Sequence, residues 1–500
     1  MMATMIESGR RMVRVDSRAA AAFRIGLGLC VAATVAVRMV LAEEMLTDDG
    51  VVRAATVMEA GPVFSLLLMS NIQGVILAVL AVAFAAGIGI AVGGKWLFPS
   101  AVVSWIILAS IDARNEFVHN GGDRYLGLLV MWTALASPQL AETSVRGRGF
   151  ILAPSLPLGC LLGQMVLMYV KCGLAKAKYA SEWYSGDALR AALRNAWFAS
   201  ETGTDVVDNL PLVPLVAAGV MWSEILVPLL AFWPFARGSE LARASFASWA
   251  LAMHGSFVFC MRLGMFPWIC MAPALLAVPS RVLDALTGAS RRPRRLGWPA
   301  APPQPTPGRV RTVLAGVAMA WILLFCAGFI SNSPSASRPM AVMASLGRDL
   351  KLEQYWAMFS LVPKNSLWLH GALTLSDGRV VDPIRWLATG NDEPWLAADA
   401  MVVRAAPPRL ADYSADARLL LSDRWTRYWV TLPGKPWIHA DAARYVWRAW
   451  RRGHPDGPLS PVRFVLRGAV IPYTIDVGAG AAVVDLSLST IYDHDYAQLC

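Results

Sequence analysis

Residues 72–93 read IQGVILAVLAVAFAAGIGIAVG, an apolar run without one charged side chain. Wound as an α-helix, at about 1.5 Å per residue, such a run matches the roughly 30 Å hydrocarbon core of a bilayer. Eight further segments of similar character surround it: 19–41, 96–113, 124–140, 150–172, 209–234, 243–260, 262–279 and 310–331. The pattern predicts a polytopic α-helical membrane protein of nine spans. Pro154, Pro157, Pro211, Pro214 and Pro228 fall in or beside these segments, where neighbouring helices can satisfy the carbonyls that a proline frees. The bulk composition agrees. Hydrophobic residues make up 56% and charged residues 16%, with a mean hydropathy of +0.47. Soluble chains carry about 25% charged residues. The composition therefore rules out disorder and argues against a purely soluble enzyme.

The charges assign the two sides. Residues 280–311 hold seven arginines against Asp284, a net +6. Residues 42–71 hold Glu43, Glu44, Asp48, Asp49 and Glu59 against Arg53, a net −4. Positive loops stay in the cytoplasm, so the N-terminus is expected inside. The chain's net charge of +10 is read as loop charge, with no nucleic-acid partner. The basic start, Arg10 to Arg18, leads into an apolar run too long for a cleavable signal, and it reads as a retained first helix. The domains follow: 1–295 a transmembrane helical domain, 296–309 a Pro-rich cytoplasmic linker, 310–331 a final transmembrane helix, and 332–500 an extracytoplasmic, β-rich α+β domain. Within that last domain SLWLHGALTL (366–375) alternates and runs into an Asp377-Gly378 turn, the signature of a hairpin. Residues 462–474 read as another strand. Residues 438–452 read as an amphipathic basic helix, packed on its own sheet or lying on anionic headgroups. The seven cysteines form no CxxC pair, so neither a disulfide scaffold nor a zinc ribbon is expected, and no metal site is assigned.

Four polar features interrupt the apolar background. Arg24 and Arg38 sit in the first span, where snorkelling is the simplest reading. RNEFVHNGGDRYLGLL (114–129) gathers Arg114, Asn115, His119, Asn120, Asp123 and Arg124 at an outer turn. YVKCGLAKAKYASEWYSGDAL (169–189) places Lys171, Lys176 and Lys178 where the fifth span exits, with Trp183 as an interfacial anchor. A lysine acting as a base needs burial that ordinary snorkelling does not provide. LAMHGSFVFCMRLGMFPW (251–268) carries His254 within a span and Arg262 and Trp268 at its outer boundary.

In this order the four features resemble the HTTM superfamily, the membrane module shared with vitamin K-dependent γ-glutamyl carboxylase. The resemblance rests on VDSRAAAAFRIGLG (15–28), RNEFVHNGGDRYLGLLVMW (114–132), GLAKAKYASEWYSGDAL (173–189) and HGSFVFCMRLGMFPW (254–268). In the tail it rests on LEQYWAMFSLVP (352–363), DGRVVD (377–382) and DRWTRYW (423–429). It implies a bacterial inner-membrane protein and an enzyme acting at the outer face on a reduced quinone. A deprotonated lysine would be its base. Lys176 matches that lysine by its distance from Gly173, Lys178 by its distance from Trp183. Asp123, Arg124 and His254 would complete the catalytic group. Arg114, Asn115, Asn120, Trp183, Arg262 and Trp268 would contact substrate or cofactor. The family's Asn-His pair is replaced here by Gly121-Gly122-Asp123-Arg124, which leaves a second reading open: a non-catalytic transport or assembly factor whose residues 332–500 dock a protein or peptide. Membrane lipid is a partner in both.

Overall fold

The computed structural model describes residues 12–61, 64–146, 149–195, 198–235, 237–287, 305–328, 337–360, 365–389, 392–393, 402–405, 423–455, 460–472 and 484–495. Residues 296–304 of the Pro-rich linker and Cys500 lie outside them.

The protein is mostly helical. Its long helices are α1 (Ser17–Val40), α2 (Gln73–Val92), α3 (Leu97–Arg114), α4 (Gly121–Leu140), α5 (Leu156–Ala177), α6 (Val213–Leu226), α7 (Ser239–Cys260), α8 (Phe266–Ala274) and α9 (Arg309–Cys326). Each falls on one of the nine apolar segments. Six of the described helices are long and apolar enough to cross a membrane, and seven if the bent pair 266–277 and 280–286 forms one span. Helix α4 carries Asp123, Arg124 and Gln139, and α7 carries Glu240, Arg243 and His254; both are outside that set. The fifth helix is displaced from its expected bounds of 150–172. Ser155 caps it by accepting from the Leu158 N–H, with Pro157 in the first turn, and the helix runs to Ala177. Lys176 therefore sits inside its last turn rather than beyond its end.

Small residues set the packing. A Cβ on Gly28 would lie 2.5 Å from the Gly87 carbonyl oxygen and the Ala91 nitrogen, so α1 and α2 touch backbone to backbone. The loops sort into two ends of the bundle. At one end the Ser17 N–H donates to the Phe150 carbonyl (2.8 Å), and the Gly94 N–H donates to that of Ala141 (2.9 Å). Arg311 reaches Ser137 Oγ there at 2.7 Å. Arg24 is buried at this end and donates to the carbonyls of Ile90, Ala91 and Thr143. It caps the C-terminus of α2 rather than snorkelling, because unsatisfied helix-end carbonyls are strong cation acceptors. At the opposite end lie residues 42–71 and the tail.

In the tail, α10 (Arg338–Asp349) precedes a five-stranded antiparallel sheet in the order β2-β1-β4-β5-β3. The strands are β1 (Asn365–Leu375), β2 (Val380–Val381), β3 (Val402–Ala405), β4 (Pro461–Pro472) and β5 (Val484–Asp495). The expected hairpin forms, with Leu373 opposite Val381. Helix α12 (His439–Gly453) packs on β5, where His439 meets Tyr492, and α11 (Asp423–Thr431) packs on α12 through Trp425 and Tyr445. The basic helix α12 meets acidic protein as well as its own sheet. Arg448 pairs with Asp49 (2.8 Å), Arg452 pairs with Glu43, and Asp441 accepts from Arg53 (2.6 Å). The net −4 of residues 42–71 thus has a partner inside the chain.

Candidate functional site

Helix α5 presents Tyr169, Cys172 and Lys176 at spacings of three and four, which puts them on one buried stripe. Helix α6 faces that stripe. A Cβ on Gly173 would lie 2.6 Å from Ile225 and 3.1 Å from the Met221 carbonyl, so the glycine permits the two helices to meet. Glu224, between Met221 and Ile225, is thereby brought against Lys176. The two form an ion pair at 2.7 Å with side chains only 3% and 7% exposed. Lys176 Nζ also donates to the Met358 carbonyl at 3.0 Å and lies 5.3 Å from the centre of the Trp183 ring. Two acceptors and one ring face thus meet the three N–H donors of the ammonium.

The second acceptor belongs to residues 352–360, which lie across the bundle like a strap. Leu352, Gln354 and Trp356 are buried in alternation with more exposed neighbours. Gln354 Oε1 accepts from Gln164 (2.9 Å), the Trp356 ring meets Tyr125 edge-on at 5.8 Å, and the Ser360 carbonyl accepts from the Trp183 indole (3.3 Å). Lys351 and Phe359, near its two ends, have φ of 58° and 55°. Side chains other than glycine occupy that region at a cost of order 1–3 kcal/mol unless surrounding contacts hold them there.

The other sequence-assigned residues go to separate places. His254, on α7, meets α5 at Tyr169, which precedes Lys176 by two helical turns, about 10 Å along the axis; there Nε2 shares a 2.8 Å hydrogen bond with Tyr169 Oη. Its ring is edged by Phe257 and Phe266, and its Nδ1 is buried without a hydrogen-bond partner. Asp123 closes a capping box with Asn120 at the start of α4. It also binds Arg38 (3.3 Å) and takes a two-pronged contact from Arg424 of α11, whose second prong is 2.8 Å. Asp123 and Arg38 thus anchor the tail to the bundle, and Arg38 does not snorkel. Arg114 is fully buried, donating to the Val52 carbonyl and pairing with Asp48 at 3.1 Å. Asn115 donates to the Met45 carbonyl. The Arg262 N–H donates to Phe198, and Lys178 and Trp268 are exposed.

Arg124 lines a cavity of about 830 Å³ at the tail end of the bundle, with Asp112, His119, Arg348, Lys351 and Tyr355. Its pairs are loose: Arg124 with Glu353 at 3.6 Å and Lys351 with Asp112 at 3.5 Å. Lys176, Glu224 and His254 do not line it. Among the described residues Lys176, His254 and Asp123 therefore hold three different sets of hydrogen-bond and ion-pair partners.

The partner missed in the sequence is Glu224. Its signal is a lone acid in the otherwise uncharged run from Val213 to Phe232, a placement expensive enough to imply a buried cation nearby. Among the described residues no group of three or more His, Cys, Asp or Glu could hold a metal ion. No family model matches the chain, and neither does any curated protein or solved structure.

Proposed function

We propose that this is an HTTM-type membrane enzyme in which Lys176 moves a proton on a lipid-soluble substrate. In this reading all nine apolar segments cross a bacterial inner membrane, with the N-terminus in the cytoplasm and residues 332–500 outside. The sorting of contacts supports that arrangement, because residues 42–71 and the tail share one end and the start shares the other with 141–150. The observation that carries the enzyme reading is the Lys176–Glu224 pair, a proton donor and acceptor buried 2.7 Å apart under the strap. Buried pairs of this kind are expensive to keep and cluster where proton transfer is needed.

The donor set fits a reduced quinone, which supplies an acidic hydroxyl and two electrons: one acid–base pair set beside the apolar face of Trp183. Lys176 passes its proton to Glu224 and becomes a neutral amine. That amine then takes the proton of a substrate hydroxyl, which reaches it when the Met358 carbonyl withdraws. Trp183 orients the amine, and the strap excludes water. Lys178, exposed at the helix end, has no such partner. The test is mass spectrometry of quinones and peptides incubated with the purified protein in lipid. Lys176→Ala abolishes a product that Lys178→Ala leaves intact. Identical product patterns for wild type and Lys176→Ala reject the reading. Digestion of residues 332–500 by protease in intact spheroplasts checks the sidedness, and full protection rejects it.

A docking or assembly role is favoured by one observation. Every acceptor of the Lys176 ammonium is internal, and the buried Arg424–Asp123–Arg38 contact fixes the tail as a platform.

A further inference from the structure

Helix α12, the segment whose sequence best suited a lipid surface, spends its arginines on Asp49 and Glu43. Helix α10 has the property that α12 gave up. Its polar flank is Ser345, Arg348 and Asp349, and Ser345 and Arg348 face the 830 Å³ cavity. Ala344 and Gly347 are buried against the end of α9, so close that a Cβ on Gly347 would lie 1.9 Å from the Trp321 ring. Between these flanks runs an apolar edge at 342, 346 and 350, a spacing of four. Val342 is 54% exposed, Leu346 55% and Leu350 44%, with Met343 beside them at 37%.

We infer that this edge of α10 is seated in the outer leaflet of the bilayer, at the level of the acyl-chain boundary. Three observations choose lipid as its occupant. Helix α10 crosses the end of α9, one of the helices apolar enough to span. Leu323 and Leu324 of α9 are exposed in the turn that follows Trp321, so α9 also presents apolar surface near the end that α10 crosses. Four side chains offer only a few hundred Å², well short of the about 800 Å² per partner of a stable protein interface. Arg338 and Arg348 complete the composition of a helix lying in the interface plane. The strap begins two residues after Leu350, so the bilayer holds the arm from which the cover of Lys176 is hung.

The inference rests on the membrane reading above, and its test separates the two. The photoreactive residue p-benzoylphenylalanine replaces Leu346, Val342, Asp349 or, on the exposed side of α2, Val82 in the full chain. Each protein is illuminated in vesicles of phosphatidylethanolamine and phosphatidylglycerol, and lipid adducts are read by mass spectrometry. Adducts at 82, 342 and 346 about tenfold above position 349 support the inference, as expected for an interfacial helix. Adducts at 82 without any at 342 or 346 overturn the seat of α10 and leave the membrane reading standing. Crosslinks from 346 to a second copy of the chain overturn it in favour of a protein interface. No adduct at 82 overturns both.

Discussion

Removing one member of the Lys176–Glu224 pair should cost far more than removing both. At 2.7 Å and an effective dielectric constant of about 20, the gross attraction is roughly 6 kcal/mol. Lys176→Met leaves a buried carboxylate without a counter-charge, a loss of about 3–5 kcal/mol. Glu224→Leu leaves an ammonium that retains the Met358 carbonyl and the Trp183 ring, so it falls near about 3 kcal/mol. The double variant Lys176→Met/Glu224→Leu leaves no charge behind and places two apolar side chains in an apolar wall. Its cost should stay near about 1–2 kcal/mol, giving an interaction energy of at least about 4 kcal/mol. The assay is reversible unfolding of the four proteins in mixed micelles with a rising fraction of SDS. Costs that add to within about 0.5 kcal/mol would mean the pair is solvated like a surface ion pair, and the buried-dyad argument would fail.

Four further outcomes follow from other parts of the structure. Arg424→Gln removes the two-pronged contact to Asp123, costs about 3–5 kcal/mol, and should speed limited proteolysis of the tail while α1–α8 stay resistant. Equal digestion rates would show that the tail is held by other contacts. Gly28→Leu forces α1 and α2 apart against backbone atoms and should lower the melting temperature, at a cost of at least about 1–3 kcal/mol. Gly219→Ala, where a Cβ meets open space, should be neutral or stabilising by about 0.5–1 kcal/mol. Glu44 lies beyond α1 with Oε2 buried and unpaired, and burial raises its pKa above the ordinary value of 4.5. The folded state then binds its proton more tightly than the unfolded state. The stability this group contributes is present below about pH 4.5 and is lost as the pH rises through the folded value. Glu44→Gln should therefore raise the melting temperature at pH 7 and leave it unchanged near pH 4; equal shifts at both would refute the assignment.

The helices were legible because apolar runs are long-range signals that need no partner to be read. Val213–Phe232 reads as a span on its own, and so does Gln73–Val92. What was not legible was pairing. Asp123, Arg38 and Arg424 are far apart in the chain, and no local pattern announces that a helix-capping aspartate will also receive a tail arginine. Arg24 and Arg38 are alike in sequence, yet one caps carbonyls and the other meets Asp123, because the choice depends on which helix ends lie opposite. The strap was quoted in the sequence as a resemblance, but nothing in LEQYWAMFSLVP says that a backbone carbonyl at Met358 will sit on Lys176. Residue type specifies side-chain chemistry, and a main-chain acceptor has none.

Asp123 and Arg424 stand 301 residues apart. A chain made from its N-terminus has the aspartate in place long before the arginine leaves the ribosome. Until then the carboxylate's main ally is Arg38, although the strap that covers Lys176 precedes α11 in the chain and is already made. Assembly is in this sense a late event: the last fifth of the polypeptide must return across a loop of some three hundred residues to finish what the first quarter began, a closure that is slow on entropic grounds. A chain ending before α11 lacks the arginine that closes this end of the bundle, and Asp123 is left with Arg38 and its own helix cap.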